Sequence, residues 1–432
     1  MSSVRPNRPH VLALSCLFPN QAQPNFGIFV LNRLKAVRRL CDVAVIAPIP
    51  VYPVPGLGRG GWAPRERVPP EDTLDGMPVR HPSFVIVPRF FKWFDALSYW
   101  WVARKAAKRL QGAGPFPFDI IDVHWTYPDI VAGHYLAKKH GKKLVVTIRG
   151  HEALYPGEHT IRRWLLDRRL RAADAIVTLS DELRDLVIAL GIPAERVRTI
   201  LNGVDREAFH PRDQAQARAR LSIAPGQKVI VSVGALNEGK GHQELVKRMP
   251  GLSKSHDVAL YIIGGAGPGG DLRTSLQEMA RDLGLTNVHL VGRVPHAQLA
   301  DWYSAADLFC LATKGEGCPN VVLEALSCGT PVVATDVGAI RELVIEGQSG
   351  FVVPPDRLDD LGPTMDRALS WPWQRQQIAD RMNDWSWSSV ADKVMETYRF
   401  VLNGEATRAP SAEAAAQRGF EPAASEHRAG RS

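Results

Sequence analysis

Cysteine is scarce and unpaired in this sequence: Cys16, Cys41, Cys310, Cys318 and Cys328 are five among 432 residues, and no two form a Cys-x-x-Cys pair. That pattern excludes a disulfide framework and a thiolate metal site; no metal is expected, and a reducing cytoplasm is the simplest compartment. Long apolar runs are missing too. Prolines and charges interrupt every hydrophobic stretch before it reaches the roughly 20 residues of a spanning helix, so any membrane contact is expected to be peripheral. The opening residues imitate a secretory leader, with Arg5 and Arg8 ahead of Val11–Phe18, but no small-residue cleavage site follows. Val11–Leu17 reads as a first strand instead. Acid is in deficit: 53 Lys and Arg against 45 Asp and Glu leave a net charge of +8, which favours an anionic partner such as a phosphate or an acidic lipid. No nucleic-acid reading module and no single basic stripe is present, so nucleic acid is not an expected partner.

What is present is an ordinary globular composition, 45% hydrophobic and 23% charged, in a chain long enough for two large domains or three ordinary ones. Short aliphatic runs alternate with helical patterns, the signature of βαβ units and parallel sheets covered on both faces. In the first half the candidate strands are Val11–Leu17, Val43–Ala47, Ile120–His124, Leu144–Ile148 and Ala175–Leu179. Between the first two, Ile28, Leu31, Leu34, Val37 and Leu40 fall at helical spacing, so Gly27–Leu40 reads as an amphipathic helix. The second half offers Val229–Val233, Val258–Ile263, Val288–Val291, Leu308–Ala312, Val332–Ala334 and Phe351–Val353. The class is α/β, with two Rossmann-like doubly wound domains.

Asn202-Gly203-Val204-Asp205 is turn chemistry and places the boundary near residue 205. The expected units are an N-terminal domain over 1–205, a second over 206–382, a terminal helix over 383–402 and a disordered tail over 403–432. Pro53, Pro55, Pro64, Pro69 and Pro70 make Val51–Pro82 a long irregular insertion.

Gly234-Ala235-Leu236-Asn237-Glu238-Gly239-Lys240-Gly241 follows a strand and nearly spells a P-loop, but Gly241 stands where a Ser or Thr would hold magnesium. Such a turn can present backbone N–H groups and one Lys charge to a diphosphate without serving an NTPase. Gly265-Ala266-Gly267-Pro268-Gly269-Gly270 satisfies G-x-G-x-x-G, yet the next strand ends in Val291-Gly292-Arg293 and not in the acid that grips a dinucleotide ribose. This argues against an oxidoreductase and leaves a Gly-rich turn lining a nucleotide crevice.

The strongest constellation is Glu316-Gly317-Cys318-Pro319-Asn320-Val321-Val322-Leu323-Glu324. Pro319 suits a first helical turn, so Glu316 falls in the preceding loop and Glu324 more than a turn inside, where both can face one ligand beside the helix dipole. Carboxylates at this spacing also occur on plain solvated helices.

These residues resemble the retaining GT-B glycosyltransferases of family 4, from about Val11 to Leu402 and closest to bacterial surface-polysaccharide members. The spacing of Glu316 and Glu324 is similar to that family's E-x7-E signature. The run from Val291-Gly292-Arg293-Val294-Pro295 through Ala305-Ala306-Asp307 to Gly347 and Gly350 matches in order, as do Lys240-Gly241, Phe18-Pro19, Gly27-Ile28-Phe29-Val30, Asn202-Gly203-Val204-Asp205, and Trp125 and Pro128 with Arg149-Gly150-His151-Glu152.

The resemblance implies two domains facing a cleft and transfer of a sugar from a nucleoside diphosphate sugar to a polysaccharide or lipid-linked acceptor, with no cofactor and no metal. It implies that Glu324 holds the ribose, Glu316 contacts the donor sugar, and Lys240 neutralises the diphosphate with Gly27 and the N–H groups around Pro319–Val322. Gly234, Gly265, Gly267, Gly317, Cys318 and Asn320 would line the donor, and backbone near Arg293 and Val294 would read the base. Two departures stand out. Ala235 replaces an Arg common in the donor loop, and the strand where many members end in His finishes here with Thr147-Ile148-Arg149, so Arg149 and His151 are both candidates for that catalytic and acceptor-binding place. Ala235 and the absent His also leave open a scaffold subunit that binds nucleotide without turnover; a GT-B phosphorylase or epimerase would share the donor site.

Phe90, Phe91, Trp93, Phe94, Tyr99, Trp100 and Trp101 with Arg89, Lys92, Arg104, Lys105, Lys108 and Arg109 have the composition of an interfacial helix, which an anionic membrane surface and a lipid-linked acceptor would explain. Aromatics packing on the sheet would explain it equally. Arg162, Arg163, Arg168, Arg169 and Arg171 form a second basic cluster. His124 ends a strand where open α/β sheets place their crevice, which makes it and Trp125 acceptor candidates, with a satisfied core histidine the alternative.

Overall fold

Aliphatic runs buried on both faces dictate parallel strands, and every candidate strand is found. The computed structural model describes residues 8–52, 68–87, 93–112, 114–150, 160–267 and 270–404. The first half supplies β1 (His10–Leu14), β2 (Asp42–Ile46), β3 (Ile49–Val51), β4 (Glu71–Leu74), β5 (Met77–Arg80), β6 (Ser83–Val85), β7 (Ile120–Val123), β8 (Lys143–Ile148), β9 (Ala175–Thr178) and β10 (Val197–Thr199). Eight of these form a sheet in the order β10-β9-β8-β7-β1-β2-β5-β4, parallel except for the β4–β5 hairpin, while β3 pairs with β6. The second half supplies β11 (Lys228–Val233), β12 (Val258–Ile263), β13 (Val288–Gly292), β14 (Leu308–Leu311), β15 (Val332–Thr335) and β16 (Gly350–Val353). They are parallel in the doubly wound order β13-β12-β11-β14-β15-β16.

Helices cover both faces. In the first half they are α1 (Ile28–Val37), α2 (Phe94–Gln111), α3 (Asp129–His140), α4 (Thr160–Leu170) and α5 (Asp181–Ala189). In the second half they are α6 (Gln214–Arg220), α7 (His242–Ser255), α8 (Arg273–Asp282), α9 (Leu299–Ala305), α10 (Asn320–Ser327), α11 (Ile340–Leu343), α12 (Leu361–Ser370), α13 (Arg375–Arg381) and α14 (Trp387–Asn403). Side chains alternate across a strand: Val11 and Ala13 join α1 and α14 in one core, whereas Leu12 and Leu14 join α2 and α3 in the other. The expected terminal helix is α14, which returns to the first sheet by burying Val390, Val394 and Tyr398 beside Val30, Leu34 and Val37 of α1.

Two expectations are corrected. The first strand stops at Leu14, because the Ser15 hydroxyl turns to donate to Leu17 O at 2.8 Å and the chain leaves the sheet. Val51–Pro82 is not irregular throughout, since β4 and β5 extend the sheet edge around Asp75-Gly76, both with positive φ. An edge hairpin tolerates the charges and the proline that hide it from a periodicity search. Residues 53–67 of that insertion lie outside the described residues, as do 405–432 of the expected tail.

The chain diverges to opposite sides of β1, whose neighbours are β2 and β7, and of β11, whose neighbours are β12 and β14. Ligand crevices open at the carboxyl ends of such strands. The two halves meet there: Asn202 Nδ2 donates to Asn320 Oδ1 at 2.9 Å, Asp181 N to Glu342 Oε1 at 2.6 Å, and Gly338 N to Glu182 Oε2 at 2.8 Å.

Candidate active site

After β11 the chain makes the glycine-rich turn seen in the sequence. Asn237 caps it, its side chain accepting from Lys240 N at 3.2 Å, and Gly241 leads into α7 with φ +69. A Cβ on Gly241 would lie 1.8 Å from Ala312 O, so glycine is required for conformation and for space. The Lys240 stem lies over Gly234, and its Nζ pairs with Glu316 Oε1. Thr313, just beyond β14, donates to Gly239 O at 3.0 Å and stands 3.4 Å from the same Glu316 oxygen, which ties the turn to the loop before α10. Beneath the turn His242 is fully buried, with Nδ1 3.1 Å from Ser232 Oγ; burial lowers its pKa to about 4.

The second glycine-rich turn packs against the first. A Cβ on Gly267 would meet Ala235 Cβ at 2.6 Å, and Arg293 lies across Gly265 with Nη2 donating to Ala266 O. Arg293 is exposed and Val294 half-buried; Pro268 and Gly269 lie outside the described residues.

Glu316 and Gly317 occupy the loop before α10, Pro319 takes the capping position and Asn320 begins the helix. Val322 N returns to Pro319 O at 3.0 Å, and the N–H groups of Asn320 and Val321 precede the first helical bond, so they face outward with the positive dipole end. Burial pushes the Cys318 thiol up to about 12, so it is no nucleophile at neutral pH.

Glu324 is buried inside α10 and carries two partners that sequence reasoning missed. His296 Nε2 lies 2.9 Å from Oε1, and the Tyr303 hydroxyl donates to Oε2 at 2.9 Å. The bond to Glu324 raises the His296 pKa, and burial followed by Glu324 raises that of Tyr303. Position alone gave the available signal: His296 directly follows the Val294-Pro295 run, and Tyr303 sits one turn before Ala306-Asp307.

The first half contributes Gly27, Arg149 and a buried polar group. Gly27 caps α1 at φ +66, where a Cβ would strike Leu17 O at 2.4 Å. His124, for which the sequence allowed either an acceptor contact or a satisfied core position, is fully buried. Its Nδ1 faces Arg149 Nη2 at 2.9 Å and its Nε2 faces Asp122 Oδ2 at 3.0 Å. A guanidinium only donates, so Nδ1 is the acceptor and Nε2 carries the proton. Burial lowers the His124 pKa, which agrees with a neutral ring. Burial pushes the Asp122 carboxyl up, but His124, Tyr398 and Arg33 outweigh it and hold the pKa low. Trp125 is half-buried and packs against the core. The Arg149 guanidinium is buried, stacked 4.9 Å from the Phe29 ring centre and bonded to His124 O and Asn202 Oδ1. Its backbone touches the other half, since a Cβ on Gly317 would meet Arg149 O at 2.0 Å. His151 lies outside the described residues.

The structure therefore gathers Lys240, Glu316, Gly317, Asn320 and Arg149 where the two halves meet, and it sets Glu324 deeper along α10. Among the described residues no three His, Cys, Asp or Glu side chains converge as metal ligands would.

Residues 213–385 match the family of glycosyl transferases group 1, and residues 28–208 match glycosyltransferase family 4. The D-inositol 3-phosphate glycosyltransferase of Frankia alni is 31% identical over 68% of this chain and 76% of its own. The putative teichuronic acid biosynthesis glycosyltransferase TuaC of Bacillus subtilis is 26% identical over 80% of this chain and 85% of its own. Among solved structures, HepE from Anabaena, crystallised with UDP and glucose, superimposes with a TM-score of 0.65 at 19% identity, covering 90% of this chain and 99% of that one.

Proposed function

Because the chain belongs to the glycosyltransferases of group 1 and family 4, we propose that it moves a sugar from a nucleoside diphosphate sugar to a lipid-linked or polysaccharide acceptor, with retention and without a metal, in building a cell-surface polysaccharide. The observation that carries this reading is the convergence of Lys240, Glu316 and the open N-terminus of α10 at the β11/β14 crevice. When the anomeric bond breaks, negative charge grows on the leaving diphosphate, and fixed cations and helix N–H groups are suited to stabilise it. Lys240 and the N–H groups of Asn320 and Val321 supply these, Glu316 is placed for hydroxyls of the sugar, and Glu324 for the ribose. Glu316 is not assigned as a nucleophile; the leaving phosphate takes the acceptor proton as attack proceeds from the same face. The name of TuaC and the UDP bound to HepE support a polysaccharide product and a nucleotide sugar donor.

The acceptor reading extends to an anionic membrane surface at its cytoplasmic face. Helices α2, α3 and α4 lie side by side and carry ten Lys and Arg against three Asp, of which Asp95 and Asp129 are buried. Leu97, Trp101, Ile161 and Trp164 stand about half exposed among these cations, with Lys105 over the Trp101 ring and Arg168 over that of Trp164. Aromatic and basic side chains together suit an interface. Among the described residues no helix is long and apolar enough to cross a membrane.

The test is a panel of UDP-, GDP- and ADP-sugars with and without EDTA, offered with polyprenyl-linked saccharide acceptors. Acceptor-stimulated release of one nucleoside diphosphate in EDTA, with retained configuration by NMR, is expected. Nucleotide binding without turnover would favour the scaffold reading, and selective binding of NAD⁺ or Mg-ATP would overturn the donor-site assignment.

A further inference from the structure

A line of buried polar side chains runs through the first sheet and ends on the donor helix. Tyr398 of α14 donates to Asp122 Oδ2 at 2.6 Å, and Asp122 faces His124 Nε2. His124 in turn accepts from Arg149 through both its ring and its carbonyl, the latter at 3.2 Å. Arg149 Nη1 donates to Asn202 Oδ1 at 3.3 Å, and Asn202 Nδ2 donates to Asn320 Oδ1 at 2.9 Å. Arg33 fixes the approach to Asn202 from below, with Nη2 donating to Ile200 O at 2.8 Å and Leu201 O at 3.3 Å. Tyr398, Asp122, His124, Arg149, Arg33 and Asn202 are all buried. Polar groups in so dry a setting hold one another in a single arrangement, because any unmade bond leaves a desolvated group unpaired.

Asn202 is the joint of this line. Its amide has an acceptor and a donor end, and the two are spent on opposite halves of the molecule: Oδ1 on Arg149 after β8, and Nδ2 on the first residue of α10. Arg149 commits three of its five N–H groups to His124 and Asn202, leaving one on each terminal nitrogen without a partner among the described residues. The donor loop of this chain has Ala235 and one lysine, Lys240, so it supplies a single fixed cation.

We propose that Asn202 is a positioning residue that fastens Arg149 of the first domain to the N-terminus of α10, and that Arg149 so held is the second cation for the departing diphosphate. This rests on the glycosyl-transfer reading above. It assigns to the interdomain turn a role in chemistry: the guanidinium is in place only when the halves are closed and Asn202 bridges them.

The test is a double-mutant cycle with Asn202→Ala and Asn320→Ala in the full chain, read by donor turnover with the nucleotide sugar the panel identifies. Each single change is expected to lower kcat about tenfold with donor KM within about threefold, and the pair to be no worse than about threefold below the poorer single, because both cut one bridge. Asn320 is only half-buried, so its variant keeps the test alive if Asn202→Ala folds poorly. Losses that multiply, or an unchanged kcat, would overturn the proposal. Hydrogen exchange of the free protein reads the bridge without any donor: both variants should speed exchange in residues 322–325 to the same extent, and unchanged protection there sinks the bridge. A wild-type protein that transfers from no nucleotide sugar would sink the glycosyl-transfer reading, and with it the role of Arg149, while the exchange result still decides the bridge.

Discussion

Lys240 and Glu316, 76 positions apart in the sequence, are ion-paired at the mouth of the cleft, and Thr313 tethers the loops that carry them. Each is about as exposed as a partly covered site allows, 30% and 14% for the side chains. On the proposed reading an arriving diphosphate takes Lys240 from Glu316 and frees the carboxylate for the sugar.

The two halves of this pair should therefore respond in opposite senses to a free nucleoside diphosphate. Glu316→Gln releases Lys240 and is expected to tighten binding of UDP or GDP in a thermal-shift titration, whereas Lys240→Met weakens it. Both should lower kcat/KM by about 100-fold or more, with losses that do not multiply in the double variant, since the residues act as a unit. Parallel effects on nucleotide binding would refute the exchange of partners.

On the proposed reading Glu324, held by His296 and Tyr303, accepts the ribose hydroxyls. Glu324→Gln should reduce affinity for a nucleoside diphosphate by about 10- to 100-fold, the range of one or two hydrogen bonds to a charged group. Binding of inorganic pyrophosphate should change by less than about twofold. Calorimetry with both ligands separates ribose contact from general damage, because damage would weaken the two alike.

The basic face of α2, α3 and α4 predicts binding to phosphatidylglycerol vesicles but not to phosphatidylcholine vesicles. Reversing Lys105, Lys108 and Arg168 to Glu should weaken co-sedimentation by about 100-fold at low salt, at about 1 kcal/mol per charge removed. Trp101→Ser with Trp164→Ser should weaken it without altering the salt dependence. Equal binding to both vesicle types would remove the membrane from the functional reading.

His242 predicts a pH dependence of stability. Its pKa falls from 6.5 to about 4 through burial, so the folded state resists protonation that the unfolded chain accepts. Stability is complete above about pH 6.5 and declines as the pH falls towards 4, by about 3 kcal/mol in all at roughly 1.4 kcal/mol per unit. His124, also lowered, acts in the same sense; His296, raised by Glu324, acts oppositely, its contribution present at low pH and lost as the pH rises. Urea titrations at pH 7 and pH 4.5 should show a smaller acid loss in His242→Gln than in wild type, and equal losses would dismiss His242 as the cause.

Much of the architecture was legible in the residues. Continuous aliphatic runs such as Val229–Val233 announce strands buried on both faces, and the alternation with helices announces a parallel sheet. The hairpin β4–β5 escaped because Glu71, Asp72 and Pro78 break the pattern that buried strands must keep and edge strands need not. In the site, the loop position of Glu316 and the helical position of Glu324 follow from Pro319 and the spacing between them. The fate of His124 did not follow, since a strand-end histidine can face a crevice or a core, and only Asp122, Arg149 and the packing above it decide.

The sequence by itself determined which segments become strands and helices, where the glycine-rich turns fall, and that a lysine and one carboxylate stand at strand-to-helix junctions with a second carboxylate inside the helix. These are matters of neighbours within a few turns of chain, where propensity, capping and conformational limits operate. Tertiary structure alone decided that Lys240 meets Glu316, that Glu324 is held by His296 and Tyr303, that Tyr398 reaches Asp122 across 276 positions, and that Asn202 joins Arg149 to Asn320. Hydrogen bonds and ion pairs depend on tenths of an ångström and on burial, and both are set by how the two sheets and the returning helix pack, which no local pattern records.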